Sequence, residues 1–162
     1  MATLARSLRP YLRYVRGRRT YADAAPGSSN QMKFTLAGAN QVFYDQVAVR
    51  QVDVPSFSGS FGILPKHVPT LAVLKPGVVT VYEESGTTKK VFVSSGTVTI
   101  NEDSSVQILA EEAHPVEDLD SAAARDLLSK AQQQLSSASS EKDKAEAAIA
   151  IEVAEALVQA SQ

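Results

Sequence analysis

The sequence contains no cysteine and no tryptophan, and only two of its 162 residues are histidine. Without cysteine, disulfide bonds, thiolate metal ligands and thiol catalysis are excluded. No apolar run approaches the roughly 20 residues that a helix needs to cross a bilayer, so the sequence predicts no transmembrane segment. Hydrophobic residues nevertheless make up 44% of the chain, a share typical of a folded domain.

Acidic residues are missing from the first 22 positions, which carry six arginines interleaved with leucine and valine. A basic, acid-free amphipathic helix of this kind is typical of a mitochondrial transit peptide. Residues 19–22 resemble a processing site, with the cut at or near Tyr21 and Ala22. We therefore expect a transit peptide over residues 1–21. The alternative is a basic arm that binds nucleic acid or an anionic membrane.

The rest of the chain is acidic. Once the six arginines are set aside, ten basic residues face all 18 acidic ones, which gives a formal net charge of −8. Binding to nucleic acid needs clustered lysine and arginine, so this part of the chain predicts no nucleic-acid partner. The small, polar run ADAAPGSSNQ predicts a flexible N-terminus over residues 22–31.

Residues 32–116 carry the pattern of short β-strands. The segments rich in Val, Phe, Tyr and Thr are MKFTLA, QVFYDQ, VAVRQVDV, GVVTVYEE, KKVFVSS, TVTINE and SVQILAEEA. Turn-rich links of a few residues join the later ones, which predicts an antiparallel sandwich or barrel. The alternation in VAVRQVDV slips once, so we expect a bulge or bend near Gln51.

Helical periodicity replaces the strand pattern over residues 117–162. A first helix, capped by Asp118 or Asp120, has its apolar row at Ala124, Leu128, Ala131 and Leu135. After the break SASSE, a second helix has its row at Ala145, Ile149, Val153, Leu157 and Ala160. The short link predicts an antiparallel hairpin. Because alanine buries little apolar area, this hairpin needs a partner surface, so its larger residues are the expected packing positions: Leu128, Ile149, Val153 and Leu157.

One stretch, FGILPKHVPTLAVLKPG at residues 61–77, has the residues either of an active-site loop or of a segment that turns one strand into the next. A catalytic His67 would need a nucleophile or carboxylate beside it, but no G-x-S-x-G motif and no phosphate-binding glycine motif occur. His67 and His114 stand too far apart in sequence to suggest a metal site. The sequence therefore predicts no catalytic residue, no metal and no cofactor. Two prolines around His67 predict a rigid loop, and residues 75–78 predict a type II turn.

The signature SGSFGILPKHVPTLAVLKPG, followed by KVFVSSGTVTINEDSSVQILAEEA and an alanine-rich helical hairpin, resembles a family of rotary F-type ATP synthase subunits. This family comprises the mitochondrial delta subunit and its counterpart, the bacterial and chloroplast epsilon subunit. The resemblance covers nearly everything after Met32. It implies a β-sandwich of about ten strands followed by a two-helix hairpin, in a noncatalytic subunit of the central stalk. It further implies a position on the matrix side of the mitochondrial inner membrane.

The resemblance also implies partners. The gamma subunit, the small mitochondrial epsilon subunit and the c-ring would contact this chain, with a ring-facing loop at Ser58, Gly59 and Ser60 and an adjacent loop at Lys66 and His67. The nucleotide-binding motif of some bacterial relatives is incomplete, because Ala123 stands where that motif has arginine. The competing hypothesis is a free-standing mitochondrial sandwich protein that binds a small ligand or acts as an adaptor.

Overall fold

The computed structural model describes residues 31–162. The strands are β1 (Met32–Ala37), β2 (Val42–Ser56), β3 (Gly59–Ile63), β4 (Thr70–Leu74), β5 (Gly77–Glu83), β6 (Thr88–Val93), β7 (Gly96–Ile100), β8 (Val106–Ala110) and β9 (Ala113–Pro115). A short 3₁₀ helix (Val116–Asp118) precedes α1 (Ser121–Ser137) and α2 (Glu141–Ala160). A β-sandwich followed by a helical hairpin is thus confirmed, with nine strands in the described part where about ten were expected.

The strands form one hydrogen-bonded sheet that closes on itself. Neighbours run in the order β1-β8-β7-β4-β2-β5-β6-β9, β3 pairs with β2, and an additional β1–β2 ladder joins the two sides. The closed sheet is flattened into a first layer, β1-β8-β7-β4, and a second layer, β3-β2-β5-β6-β9. Only the β1–β8 ladder is parallel among the described strands. A parallel pair cannot be joined by a tight turn, and β1 and β8 are far apart in the sequence.

The longest strand, β2, contains the bend that the sequence predicted. In its ladder with β5, Val49 pairs with Glu83 and Gln51 pairs with Tyr82, which leaves Arg50 as an extra residue. The bulge near Gln51 is therefore confirmed. The two segments predicted as separate strands form one strand, because the bulge redirects β2 from pairing with β1 to pairing with β3 without ending it.

The core lies between the two layers and comes from alternate residues of the strands. In β8, Val106 and Ile108 are buried whereas Gln107 and Leu109 are exposed. The largest fully buried side chains include Phe34, Met32, Leu36, Ile63, Leu74 and Ile108. Burial of a side chain of this size stabilises a fold by about 1.5–3 kcal/mol.

The stretch at residues 61–77 contains strand rather than loop over most of its length. Its ends belong to β3 and β5, and β4 lies between them. The type II turn expected at residues 75–78 is wrong, because Gly77 pairs with Val93 in β5 and its φ is not positive. Space explains this glycine instead: a Cβ there would lie 3.0 Å from the side chain of Pro55.

Both helices begin at hydrogen-bonded caps. Asp120 Oδ1 accepts hydrogen bonds from the backbone N–H groups of Ala122 at 2.8 Å and Ala123 at 3.2 Å, so the structure selects Asp120 over Asp118 as the cap of α1. Ser140 Oγ accepts from the N–H of Asp143 at 3.0 Å and caps α2. Each cap satisfies backbone donors that the first helical turn leaves unpaired.

Alanine fills the contact between the two helices. The buried residues are Ala124 and Ala131 on α1 and Ala147 and Ala154 on α2. The predicted row of α1 is thus confirmed at its two alanines. The row predicted for α2, which runs through Ile149, is not the row that this chain buries, so that prediction is wrong for the contact with α1. Alanine occurs on several sides of α2, so periodicity does not select one row, whereas close approach of α1 does.

Candidate docking surfaces

An apolar surface covers the outer side of the first layer and continues onto the beginning of β2, which pairs with β1. Backbone pairing aligns one row across neighbouring strands in the order Val42, Ala37, Leu109, Thr97 and Val73. Directly paired residues point to the same side of a sheet. Four large side chains of this side are exposed to solvent, and we call them the apolar face: Val42, Leu71, Val73 and Leu109. Contiguous exposed apolar side chains are typical of interaction sites.

The apolar face is not among the features predicted from the sequence, although a signal for it exists. In β4, TLAVL, both alternating sets contain apolar residues, with Ala72 and Leu74 in one set and Leu71 and Val73 in the other. Leu74 points into the core and is fully buried, whereas Leu71 is 74% exposed. A strand that is apolar on both sides indicates burial on both sides, so β4 should have predicted a covering partner.

The turn between β2 and β3 presents Phe57 beside the apolar face. Phe57 and Ser58 connect the paired residues Ser56 and Gly59. The buried Ser56 hydroxyl donates to the Gly59 carbonyl oxygen at 2.7 Å, and Ser58 Oγ lies 2.9 Å from Ser56 Oγ. The Phe57 N–H donates to the Val73 carbonyl oxygen at 3.4 Å. These bonds hold the turn in one conformation while the Phe57 side chain stays 70% exposed.

Lys66 and His67 lie in the turn between β3 and β4. The His67 N–H donates to the Leu64 carbonyl oxygen at 3.1 Å, and Lys66 has a φ of 66°. With Pro65 at the first central position, these features match a type II turn. The Lys66 N–H donates to Ser104 Oγ at 3.2 Å, which connects this turn to the one between β7 and β8.

The imidazole of His67 makes packing contacts. Its Nδ1 lies 2.9 Å from the Val68 carbonyl oxygen, and because a carbonyl only accepts, Nδ1 carries the proton in this contact. The ring centroid lies 6.2 Å from that of Phe61. These contacts orient the ring along the turn.

The two groups of residues expected to face the c-ring lie at opposite ends of β3. Ser58, Gly59 and Ser60 stand at its beginning, whereas Lys66 and His67 follow its end. A strand of this length spans about 13 Å at roughly 3.3 Å per residue. The structure brings Lys66 to Ser104 and does not bring the two groups together at one point.

The hairpin keeps apolar area outside the contact between its helices. Of the expected packing residues, three are half-buried: Leu128, Val153 and Leu157. Ile149 is 63% exposed, and Leu127 and Leu135 on α1 are exposed as well. This chain alone therefore leaves part of the hairpin's apolar surface in water.

A groove of about 640 Å³ separates the C-terminal part of α2 from the second layer. Lys75 and Lys90 line its wall on the sandwich, and Glu152 and Glu155 line its wall on the helix. Ser60 lies on the same groove, so one residue of the predicted ring-facing loop also borders the hairpin.

Glu83 connects three strands of the second layer. Its Oε1 accepts from the Tyr44 hydroxyl and lies 3.0 Å from Lys89 Nζ, while Arg50 Nε donates to its carbonyl oxygen at 3.1 Å. The hydrogen bond from Lys89, followed by that from Tyr44, lowers the pKa of the Glu83 carboxyl. Burial, followed by the bond to Glu83, raises the pKa of the Tyr44 hydroxyl. A carboxylate kept ionised in this way connects strands and is poorly suited to donate a proton.

The remaining sequence predictions concern metal ligands, membrane-spanning helices, the transit peptide and the nucleotide motif. Within residues 31–162, no group of three or more histidine and acidic residues is arranged to hold a metal, and no helix is long and apolar enough to cross a membrane. Tyr21, Ala22 and the rest of the predicted transit peptide lie outside the described residues. Asp120, in the region of the incomplete nucleotide motif, has its carboxylate engaged in the cap of α1.

Two family models match the chain on either side of the 3₁₀ helix. The model described as "ATP synthase, Delta/Epsilon chain, beta-sandwich domain" matches residues 31–116. The model described as "Metazoan delta subunit of F1F0-ATP synthase, C-terminal domain" matches residues 119–160.

Individual relatives agree with the family models. The chain is 45% identical to "ATP synthase subunit delta, mitochondrial" of Caenorhabditis elegans, over 98% of this chain and 97% of the relative. It is 44% identical to the protein of the same name in Yarrowia lipolytica, over 92% of this chain and 89% of the relative.

Solved structures share the fold. A chain of the Euglena gracilis mitochondrial ATP synthase, from a structure of OSCP, F1 and c-ring, superposes with a TM-score of 0.76 at 27% identity and 83% coverage of each chain. A chain from the central stalk and c-ring of the Tetrahymena thermophila mitochondrial ATP synthase superposes with a TM-score of 0.65, over 81% of this chain and 96% of the Tetrahymena chain. At 16% identity, this match shows similarity of fold alone.

Proposed function

Because the chain belongs to the delta/epsilon family of ATP synthase subunits, in its mitochondrial delta branch, we propose that it is a noncatalytic subunit of the central stalk. In this role it couples rotation of the c-ring to the gamma subunit and the catalytic head. One observation carries the mechanical part of the proposal: the apolar face, with Phe57 beside it, is a group of large apolar side chains on neighbouring strands that this chain leaves exposed. Removal of such apolar surface from water favours association by about 25 cal/mol per Å² before the entropic cost of binding is subtracted.

The closed sheet suits the transmission of torque. Every strand from β1 to β8 is hydrogen-bonded into a ladder, and β2 pairs with β1, β3, β4 and β5. A force applied at the turns around β3 therefore moves the apolar face with the whole sandwich instead of bending one hairpin. We assign the gamma subunit to the apolar face because this face moves together with the turns around β3.

The c-ring contact is assigned to the two turns that flank β3. Ser58, Gly59 and Ser60 would meet the ring through the first turn, and Lys66 and His67 through the second. Support comes from the hydrogen bonds that hold each turn, from Ser56 in the first and to Ser104 in the second. A turn held in one conformation loses little entropy on docking.

The hairpin would contact the small mitochondrial epsilon subunit. Leu128, Val153 and Leu157 are half-buried and Ile149 is exposed, so these residues still have apolar surface for a partner. An alanine interface between α1 and α2 buries little area, and a third surface would add what the hairpin lacks.

A noncatalytic role on the matrix side of the inner membrane completes the proposal. Several carboxylates of the described residues make structural contacts: Glu83 binds Tyr44 and Lys89, and Asp53 accepts from Gln51 and Tyr82. The relatives are named as mitochondrial, and the basic first segment fits import into the matrix. Protease treatment of mitoplasts tests the location, since a matrix subunit stays protected until detergent is added.

Blue native electrophoresis of mitochondria tests the function. We expect the chain to comigrate with the ATP synthase, whereas a small free species would favour the ligand-binding or adaptor hypothesis. Leu71→Asp combined with Val73→Asp should shift the chain from the synthase to the free fraction, because both charges would be buried at the gamma contact. Thr88→Asp, which adds one carboxylate at an exposed position of the second layer, is the control and should comigrate as the unmodified chain does.

A further inference from the structure

The geometry points to a strand-binding site: we propose that the free edge of β3 binds an extended, polar segment of a partner polypeptide as an added β-strand. Alternate side chains of that segment would enter the groove beside α2. The inference rests on the proposed function, because the partner is the one seated on the apolar face.

The backbone groups of two residues in β3 point away from the sheet. β3 pairs only with β2, beginning at Ser56 and Gly59 on either side of a two-residue turn. In an antiparallel hairpin of this kind the closing pair and every second pair after it exchange hydrogen bonds. Phe61 and Ile63 therefore bond to β2, and the N–H and C=O groups of Ser60 and Gly62 face outward.

This edge carries none of the features that usually block strand pairing. Exposed edges are commonly protected by charged side chains, proline or very short strands. The edge strand β9 is three residues long and ends at Pro115. β3 is longer, with the sequence GSFGI, and contains neither charge nor proline. Among the described strands, β3 thus offers an unprotected edge for pairing.

The groove beside α2 adds a second, independent feature. Ser60 and Pro55, which pair across the β2–β3 ladder, both line this groove of about 640 Å³. In strand recognition the main-chain bonds supply affinity and pockets for alternate side chains supply specificity. Because its walls carry Lys75 and Lys90 on one side and Glu152 and Glu155 on the other, the groove favours a polar segment over an apolar one.

The position of the edge favours a partner polypeptide over the chain's own N-terminal residues. β3 begins two residues after Phe57, whose N–H is bonded to Val73 of the apolar face. A partner bound to that face holds its neighbouring segments at high effective concentration near β3. By contrast, residues 27–31, GSSNQ, contain no β-branched or aromatic residue and have low strand propensity.

Hydrogen–deuterium exchange at single-residue resolution tests the inference on the intact ATP synthase and on the isolated chain. In the synthase, the amides of Ser60 and Gly62 should exchange at least about tenfold more slowly than in the isolated chain. The amides of Phe61 and Ile63, bonded to β2 in both states, serve as internal controls and should be slow in both.

Other outcomes overturn the inference in distinguishable ways. Equal exchange of Gly62 in both samples, with the chain present in the synthase, removes the added strand and leaves the proposed function standing, because Ser60 but not Gly62 is assigned to the c-ring contact. A chain absent from the synthase overturns the proposed function itself. Protection in the isolated chain that rises with concentration identifies a second copy as the occupant. Protection that disappears when residues 22–31 are deleted identifies the chain's own segment.

A pair of variants separates backbone pairing from simple coverage of the edge. Ser60→Pro removes an outward N–H without touching the ladder to β2, whereas Ser60→Ala keeps that N–H. In the synthase, Gly62 should lose its protection in Ser60→Pro and keep it in Ser60→Ala. Equal protection in both variants would mean that the edge is only covered, which overturns the strand.

Discussion

His67 is the residue that most directly separates a catalytic role from a docking role. Loss of a general base costs about 100-fold or more in rate. The ring instead packs beside Phe61 with Nδ1 on a carbonyl oxygen, and glutamine keeps a similar size and hydrogen-bonding capacity. We expect His67→Gln to leave ATP hydrolysis by the detached catalytic head within about twofold, a change below about 0.5 kcal/mol. A hundredfold loss in a normally assembled variant would restore the catalytic interpretation.

Gly96 is the residue most constrained by the fold of the sandwich. Its φ is 150°, and a Cβ there would lie 2.1 Å from the Leu109 carbonyl oxygen and 2.8 Å from Ala110 Cα. Backbone atoms cannot rotate away, so Gly96→Ala should lower the free energy of unfolding by roughly 3 kcal/mol. Gly86→Ala is the control, because φ there is 90° but nothing lies within 4 Å. Urea unfolding with equal losses for both variants would contradict the steric argument.

At the scale of elements, the hairpin depends on surfaces outside itself. Leu128→Asp together with Leu157→Asp should reduce copurification of the gamma and small epsilon subunits, since each change would bury an unpaired charge at a partner contact. Ser129→Asp places one such charge at an exposed position of α1 and should assemble normally. Unchanged copurification of the double variant would exclude the hairpin from assembly.

The contacts of Glu83 make the connection between β2, β5 and β6 sensitive to acid. The pKa of this carboxyl is lowered from its usual 4.5, so its contribution to stability is present above about pH 4.5 and is lost as the pH falls through the lowered value. We expect Glu83→Gln to lower the melting temperature at pH 7 and to flatten its decline below pH 4.5. Parallel melting curves of both proteins over pH 3–7 would show that Glu83 contributes nothing to acid sensitivity.

At the scale of the whole molecule, the chain should exist in the matrix in a shortened form. The acid-free arginine segment predicts import followed by cleavage near Tyr21 and Ala22. After import into isolated mitochondria, N-terminal sequencing should therefore find a start close to Ala22. A matrix protein that still begins at Met1 or Ala2 would contradict the transit peptide. Import without a membrane potential is the control and should leave the chain uncut.

The sequence by itself determined the features that depend on residues close together in the chain. Segments rich in Val, Phe, Tyr and Thr identified β1, β5, β6, β7 and β8, and the slip in alternation near Gln51 located the bulge of β2. Helical spacing and the break at SASSE located α1 and α2. The motif around His67 identified the family, since its irregular prolines and glycines are specific where strand patterns are common to many folds.

Tertiary structure alone decided which surfaces remain open. The row through Val42, Leu109 and Val73 unites strands that are far apart in the chain, so the local pattern of β4 can indicate one covered strand but not the surface that these strands form together. Likewise the Pro55 side chain on β2 leaves no room for a side chain at Gly77, and the backbone of β8 leaves none at Gly96. The close approach of α1 selects the buried row of α2. The free edge of β3 follows from the way β2 passes from β1 to β3 at its bulge. Each of these depends on non-local contacts, whose partners are set by packing of the closed sheet and not by spacing along the chain.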